Sequence, residues 1–488
     1  MRRVVNGCKT TVAARSRRCS FAEQEVFKPR VQVTRMEFVS RNPATGEVIA
    51  RYRVMSDAEL DRTLAKAHSA QHYWRTVPLA ERCQLLERIA EVLDHRREDA
   101  AKLATLEMGK PIVQARAEVE KCAWACRSIA RQAPDALSIL PIPTEFRVSR
   151  VQWEPLGVVL AIMPWNFPYW QIIRAAIPAI LAGNTIVVKP SPEVTGCALL
   201  LEDVMHQVLP AGVYTTVVAS HEQIATLIGD PRIAGVTLTG STRAGRIVAA
   251  TAGSALKKTV LELGGSDAYL VLDDAELELA AETCVAARMI NSGQSCIAAK
   301  RFIVAEPIRK RFEEMVVERI RRYEPADPLD EATVLGPLAR NDLAEMLLHQ
   351  ARESIERGAR VLLEGGRGTA GSTFVRPYVL SDVSPGMPAF DEETFGPLAA
   401  IVPARDDEDA LALANRSAYG LGAAIFTSDL ERAERIAARL EAGSVFVNAQ
   451  VRSDPRLPFG GIKDSGWGRE LSVFGIREFV NVKTLVIA

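Results

Sequence analysis

The chain has 488 residues, of which 48% are apolar and 25% charged, with 60 Lys and Arg against 60 Asp and Glu. That length allows about three domains, and the balance is that of a globular protein, which excludes collagen, coiled coil and wholesale disorder. A formal charge of zero leaves no global electrostatic case for a nucleic-acid partner.

The charge is unevenly spread. Residues 1–35 hold nine Lys and Arg and two acids, while 36–488 hold 51 bases and 58 acids. A basic, disordered extension is expected over 1–35. An organelle-type transit segment and an upstream start codon are the competing readings, because Arg2, Arg3, Lys9, Arg15, Arg17 and Arg18 lie among small residues with no acid before Glu23. A new pattern opens at Met36.

Apolar spacing near 3.6 predicts helical runs from Ser56, over 79–93 and over 116–129. Short β-like pieces follow over 134–151, broken by Pro141 and Pro143. Residues 155–173 carry no charge, which is close to a membrane-spanning length. However, Pro155, Pro164, Pro168, Asn166 and Gln171 in that stretch indicate a buried strand, a rigid loop and a helix start, so no membrane partner is expected. Strands at 157–163, 184–189, 213–218, 235–239 and 258–263 then alternate with helices at 170–182, from 192, at 222–228 and at 242–253. This rhythm predicts a parallel, doubly wound sheet, the usual carrier of a dinucleotide. A second α/β stretch has strands at 269–272, 301–304, near 361, 399–402 and 444–447, and helices at 276–291 and from 308. An edge strand is expected over 478–486.

Eight cysteines are irregularly spaced, which suits a reducing cytoplasm better than a disulfide scaffold. Cys122 and Cys126 stand four apart on a helix, as do His68 and His72, which read as a solvated helix face, and the six histidines form no HExxH, so no metal is expected.

Several residues have a chemical reading. Thr239-Gly-Ser-Thr-Arg-Ala-Gly245 ends a strand and opens a helix, whose N-terminal N–H groups suit a pyrophosphate. Lys189 ends another strand of the same sheet, where a ribose or phosphate would lie. Cys296, between a helix and a strand among small polar residues, is either an inert buried thiol or a nucleophile. Glu262 interrupts an apolar strand and is a structural acceptor or a general base. Asn166, in the stiff Pro164-Trp-Asn-Phe-Pro168 loop, is a turn residue or an oxyanion donor.

Taken together with Leu261-Glu-Leu-Gly-Gly265, Gly293-Gln-Ser-Cys296, Glu393-Thr-Phe-Gly-Pro397 and Pro458-Phe-Gly-Gly461, these motifs resemble the aldehyde dehydrogenase superfamily from Met36 to the C-terminus. Within it, Pro192-Glu-Val-Thr-Gly-Cys-Ala198 and Glu262-Leu-Gly-Gly-Ser-Asp267 look most like the bacterial NAD(P)-dependent succinate-semialdehyde dehydrogenases. The resemblance implies an α/β fold of two doubly wound domains with a small β oligomerisation arm. Residues 36–136 and 156–262 would form the dinucleotide-binding domain, 263–470 the catalytic domain, and 137–155 with 471–488 the oligomerisation segments of a homodimer or homotetramer.

The resemblance also implies that Cys296 is the nucleophile, that Asn166 and the Cys296 N–H form the oxyanion hole, and that Glu262 activates the deacylating water. NAD or NADP would lie against Met163, Pro164, Trp165, Lys189, Ser191, Gly240, Ser241, Gly245, Leu263, Glu393 and Phe395. Arg174 and Ser453 would meet the distal carboxylate of the aldehyde, or Arg174 is instead paired to an internal acid. An arginine common six residues before the nucleophile is replaced by Ile290, and Arg288 is a candidate substitute. Pro192 stands where many NAD-preferring relatives place a glutamate, with Glu193 displaced by one, so use of both cofactors is expected. Oxidation of another short aldehyde, acyl transfer to CoA, and a catalytically silent binding protein are the alternatives. Glu262 argues against the CoA route, and the intact Cys296, Glu262 and Asn166 argue against the silent one.

Overall fold

The computed structural model describes residues 36–488; the extension expected over 1–35 lies outside the described residues. A hairpin, Glu37–Arg41 with Val48–Arg53, leads into four helices, Asp57–Trp74, Leu79–His95, Arg97–Met108 and Ile112–Ala136. Ser56 caps the first through a capping box with Glu59, a device worth about 1 kcal/mol. The third helix falls within the stretch from Ser56 to about Ala130 that reads as helical, but it is not marked there as a run of its own. Its buried residues are Ala100, Ala101, Ala104, Thr105, Glu107 and Met108, and three alanines with two polar residues leave little hydrophobic periodicity to read.

The first sheet runs Tyr214–Thr216, Thr185–Lys189, Val158–Ile162, Ile233–Thr239, Lys258–Glu262 and Gly466–Trp467, parallel except for the last strand. Numbered along the chain, its five parallel strands lie in the order 3-2-1-4-5. The strand order reverses between Val158–Ile162 and Ile233–Thr239, and a crevice opens at such a point beyond the carboxyl ends of the strands.

The uncharged stretch resolves into the wholly buried strand Val158–Ile162 and the wholly buried helix Trp170–Leu181. This accounts for its membrane-like composition. No helix among the described residues is long and apolar enough to cross a membrane.

The second sheet has seven strands in the order Arg360–Leu363, Tyr378–Ser381, Leu398–Ala404, Ala299–Ala305, Asp267–Val271, Gly422–Phe426 and Ser444–Val447, with only the first antiparallel. The expected helix over 276–291 ends at Met289. A short 3₁₀ turn, Ile290–Gly293, follows, in which Asn291 and Ser292 take left-handed backbone angles. A separate sheet joins Leu140–Pro141, Val148–Pro155 and Val480–Ile487. Cys122 and Cys126 are buried in the core, and no metal-ligating group of three side chains occurs among the described residues.

Candidate active site

The crevice is built from three strand ends. Met163, Pro164 and Trp165 follow Val158–Ile162, and Met163 N–H donates to the Lys189 carbonyl at 3.0 Å, tying that loop to the next strand end. Lys189 is buried, yet its ammonium has no hydrogen bond or ion pair among the described residues, and burial lowers its pKa. Gly240 and Ser241 follow Ile233–Thr239 and open the helix Thr242–Ser254, capped by Ser241 accepting from Ala244 N–H. Gly245 lets that helix approach Leu263, because a Cβ there would stand 2.5 Å from Leu263 Cδ1.

Glu193, the displaced carboxylate, is engaged elsewhere: Arg340 donates to it at 3.0 Å, and the Ser191 hydroxyl bonds it closely. The crevice thus offers the positive end of a helix and a lysine without a hydrogen bond among the described residues, with Glu193, the acid whose charge reaches it, bonded to Arg340. That combination fits an anionic dinucleotide, including one with an additional phosphate on its ribose.

Cys296 sits on the loop between the 3₁₀ turn and Ala299–Ala305, and hydrogen bonds hold this loop from every side. Asn291 Nδ2 donates to Asn166 O at 2.7 Å and to Gln294 O at 3.2 Å, and its own N–H donates to Gln114. Ser292 exchanges hydrogen bonds with the Gly336 backbone, and Gln294 accepts from Ala339 N–H. Lys300, fully buried, donates to the Ser295 and Cys296 carbonyls and stands 3.8 Å from Glu393. Such bracing maintains two non-glycine residues at positive φ.

The Asn166 amide is fixed in orientation: Gln171 Nε2 donates to Oδ1 at 3.0 Å, and Nδ2 donates to Gln294 O at 3.0 Å, which leaves its second N–H free. The Cys296 N–H makes no hydrogen bond with any described residue. Burial pushes the Cys296 thiol up to about 11, opposed by the charges of Lys300 and Arg174.

Glu262 ends the strand Lys258–Glu262 and is buried, with both carboxylate oxygens free of hydrogen bonds among the described residues. Burial holds its pKa well above the carboxylate range, and the Arg174 charge opposes the shift. Glu393 accepts from Gly265 N–H at 3.0 Å. Two residues on, Phe395 meets Trp165 edge to face, with ring centroids 5.7 Å apart. This aromatic pair lies where the crevice approaches the cysteine loop.

Beside Cys296 opens a cavity of about 380 Å³, lined by Phe167, Trp170, Gln171, Arg174, Val451, Ser453 and Phe459, with Lys110, Glu118 and Lys121 from the helix side. Arg174 takes both of its predicted places at once. It lines the cavity, stacks 4.7 Å from the Phe459 ring, and forms a close ion pair with Glu470, the internal acid.

Arg288 does not substitute for the missing arginine. It is fully buried away from the cavity and donates to the carbonyls of Gly293, Thr394 and Gly396, so it ties the cysteine loop to the Glu393 loop. Sequence reasoning missed Lys300, Glu470 and Lys121. Lys300 had a signal, since Lys300 and Arg301 are adjacent cations in an otherwise apolar strand, whereas Glu470 and Lys121 had none.

The model of the aldehyde dehydrogenase family matches residues 31–485. The chain is 47% identical over 448 residues to succinate semialdehyde dehydrogenase (NAD(P)+) Sad of Escherichia coli (strain K12), covering 92% of this chain and 97% of that enzyme. It is 42% identical over 447 residues to the succinate-semialdehyde dehydrogenase (NADP(+)) of Deinococcus radiodurans, covering 91% and 94% of the two chains. Among solved structures, succinic semialdehyde dehydrogenase from Streptococcus pyogenes in complex with NADP+ matches with a TM-score of 0.90 at 36% identity, over 92% of this chain and 99% of that one.

Proposed function

The chain belongs to the aldehyde dehydrogenase family, and we propose that it oxidises succinate semialdehyde to succinate with NAD or NADP. One observation carries the reading: Cys296 and Arg174 line one and the same cavity, and the cysteine loop is bonded directly to Asn166. The first sheet with its helices serves as the dinucleotide domain and the second as the catalytic domain. Lys189 and the 240–245 turn would hold the adenosine and pyrophosphate, Ser191 would add to the same site, Glu393 would take the nicotinamide ribose, and Phe395 and Trp165 would pack near the ring.

In this mechanism Cys296 Sγ, as thiolate, adds to the aldehyde carbon and forms a tetrahedral thiohemiacetal. Its oxyanion accepts from the free Asn166 Nδ2–H and the Cys296 N–H. Donors fixed before the reaction stabilise such a charge by roughly 3–4 kcal/mol each. Bound nicotinamide supplies the acceptor for the hydride that leaves that carbon. A thioester remains on Cys296, and Glu262, once deprotonated, takes a proton from the water that hydrolyses it. The carboxylate is released and the thiol restored. Arg174 lies between the cavity and Glu470, close enough in charge to both Cys296 and Glu262 to favour their ionised forms.

The test is the rate of NADH and NADPH formation over aldehydes with and without a terminal carboxylate, repeated with Arg174→Ala. Succinate semialdehyde is expected to exceed butanal in kcat/KM by at least about tenfold, with the gap narrowing in the variant. Both cofactors are expected to turn over, within about 10³-fold of each other, roughly 4 kcal/mol. Equal rates with the two aldehydes would overturn the substrate.

A further inference from the structure

The cavity beside Cys296 has an unbalanced charge. Lys110 is closely ion-paired to Glu118, whose other oxygen accepts from Tyr169 and Trp170 N–H at 2.9 Å. Arg174 is ion-paired to Glu470. Each of these cations shares its charge with an internal acid, so neither meets an incoming carboxylate with an undivided charge.

Arg452, a further cation on the lining, is exposed, and its charge falls on Asp454, whereas Lys121, on the helix Ile112–Ala136, is drawn into the cavity wall. It has no ion-pair partner among the described residues, and Asp454, the acid nearest Ser453 in sequence, is held in a two-point pair by Arg456. The Lys121 ammonium lies 4.3 Å from the centre of the Trp170 ring and donates to Ser453 Oγ at 2.8 Å. An ammonium has three donors, so at least one remains for whatever enters the cavity. Because Ser453 Oγ accepts from Lys121, its own hydrogen is turned away and is free to donate.

We propose that Lys121 is the cation that receives the distal carboxylate of the aldehyde, with the Ser453 hydroxyl directed onto the same carboxylate by its bond from Lys121. This rests on the reading that the substrate carries such a carboxylate. The arrangement compensates for the apolar Ile290. An anion seated there gains a charge-assisted hydrogen bond from an ammonium already stripped of much of its water. Burial and the nearby Arg174 push Lys121 down to about 8, against the opposing charges of Glu118 and Asp454.

The experiment compares kcat and KM for succinate semialdehyde and for butanal, which has the same chain length without the carboxylate, in the wild type, Lys121→Met, Lys121→Gln and Lys121→Arg. In Lys121→Met the kcat/KM for succinate semialdehyde is expected to fall about 10- to 100-fold, mainly through KM, and by at least about tenfold more than that for butanal. Lys121→Gln keeps a donor for Ser453 without the charge and should lose most of the same discrimination. Lys121→Arg should recover most of it.

Calorimetric titration with succinate gives a second readout, independent of turnover, and should weaken by at least about tenfold in Lys121→Gln. If Lys121→Gln and Lys121→Met discriminate between the aldehydes as the wild type does, Lys121 is not the carboxylate's partner. If Lys121→Met melts, the Gln variant decides. If the wild type itself fails to discriminate, the substrate reading fails and the proposal falls with it.

Discussion

The thiol that the proposed mechanism sets against a carbonyl stands in a place that discourages its ionisation. Burial lifts Cys296 to about 11, and the opposing charges of Lys300 and Arg174 recover only part of that shift. Below its pKa the thiolate fraction grows about tenfold per pH unit, and near pH 7 it is about one part in 10⁴. A group with a raised acid pKa gains reactivity as pH climbs towards that value. The rate constant for alkylation of the cofactor-free enzyme by iodoacetamide is therefore expected to rise about tenfold for each unit between about pH 7 and 9, without a plateau. A plateau below about pH 8 would mean that the cations dominate over burial. Cys122, Cys197 and Cys284 are buried and pushed further up, so they should stay unmodified over the same range. Mass spectrometry of the alkylated peptide checks that assignment.

At the scale of elements, the cysteine loop works because neighbouring segments pin it. Gly293 is the tightest point. Its φ is +76°, and a Cβ there would stand 2.4 Å from the Gly396 carbonyl, which is backbone and cannot swing aside. Gly293→Ala is expected to destabilise the fold by about 2–3 kcal/mol and to remove nearly all activity, since it separates the Cys296 loop from the Glu393 loop. Thermal melting with a parallel rate assay checks this, and a variant with wild-type melting and turnover would show that the two loops need not touch. The same element shows what a sequence can reveal. The Gly293-Gln-Ser-Cys296 motif marked the loop, and the breakers around Asn166 marked its partner. The positive φ of Asn291 and Ser292 was hidden, because it depends on acceptors supplied by Asn166, Gln114 and Gly336 from distant parts of the chain. The strands Tyr378–Ser381 and Gly422–Phe426 were missed because the first is only four residues long and the second opens on Gly-Ala-Ala, which carries little β signal. Lys121 was illegible for a related reason: a lysine on an amphipathic helix reads as solvent-facing until packing decides which side is a cavity.

For the whole molecule, the three-stranded arm is the part that the monomer leaves unfinished. Val480–Ile487 pairs on one side with Val148–Pro155 and has no strand on its other side among the described residues. Val482, Thr484 and Val486 share one face of that strand, and Val482 is 59% exposed. Ile139, Leu140, Ile142 and Phe146 add exposed apolar surface on the same arm. An open edge bordered by exposed apolar residues invites pairing with another chain, and a second copy presents the same edge by symmetry. The protein should therefore run in light scattering, at about 10 µM, with the mass of a dimer or tetramer. Charging the shared face with Val482→Asp and Val486→Asp should shift it towards monomer. Neither residue belongs to the core around Cys296, so the melting of the dissociated subunit separates loss of assembly from loss of fold. A wild-type mass of one chain at that concentration would show that the arm folds without a partner.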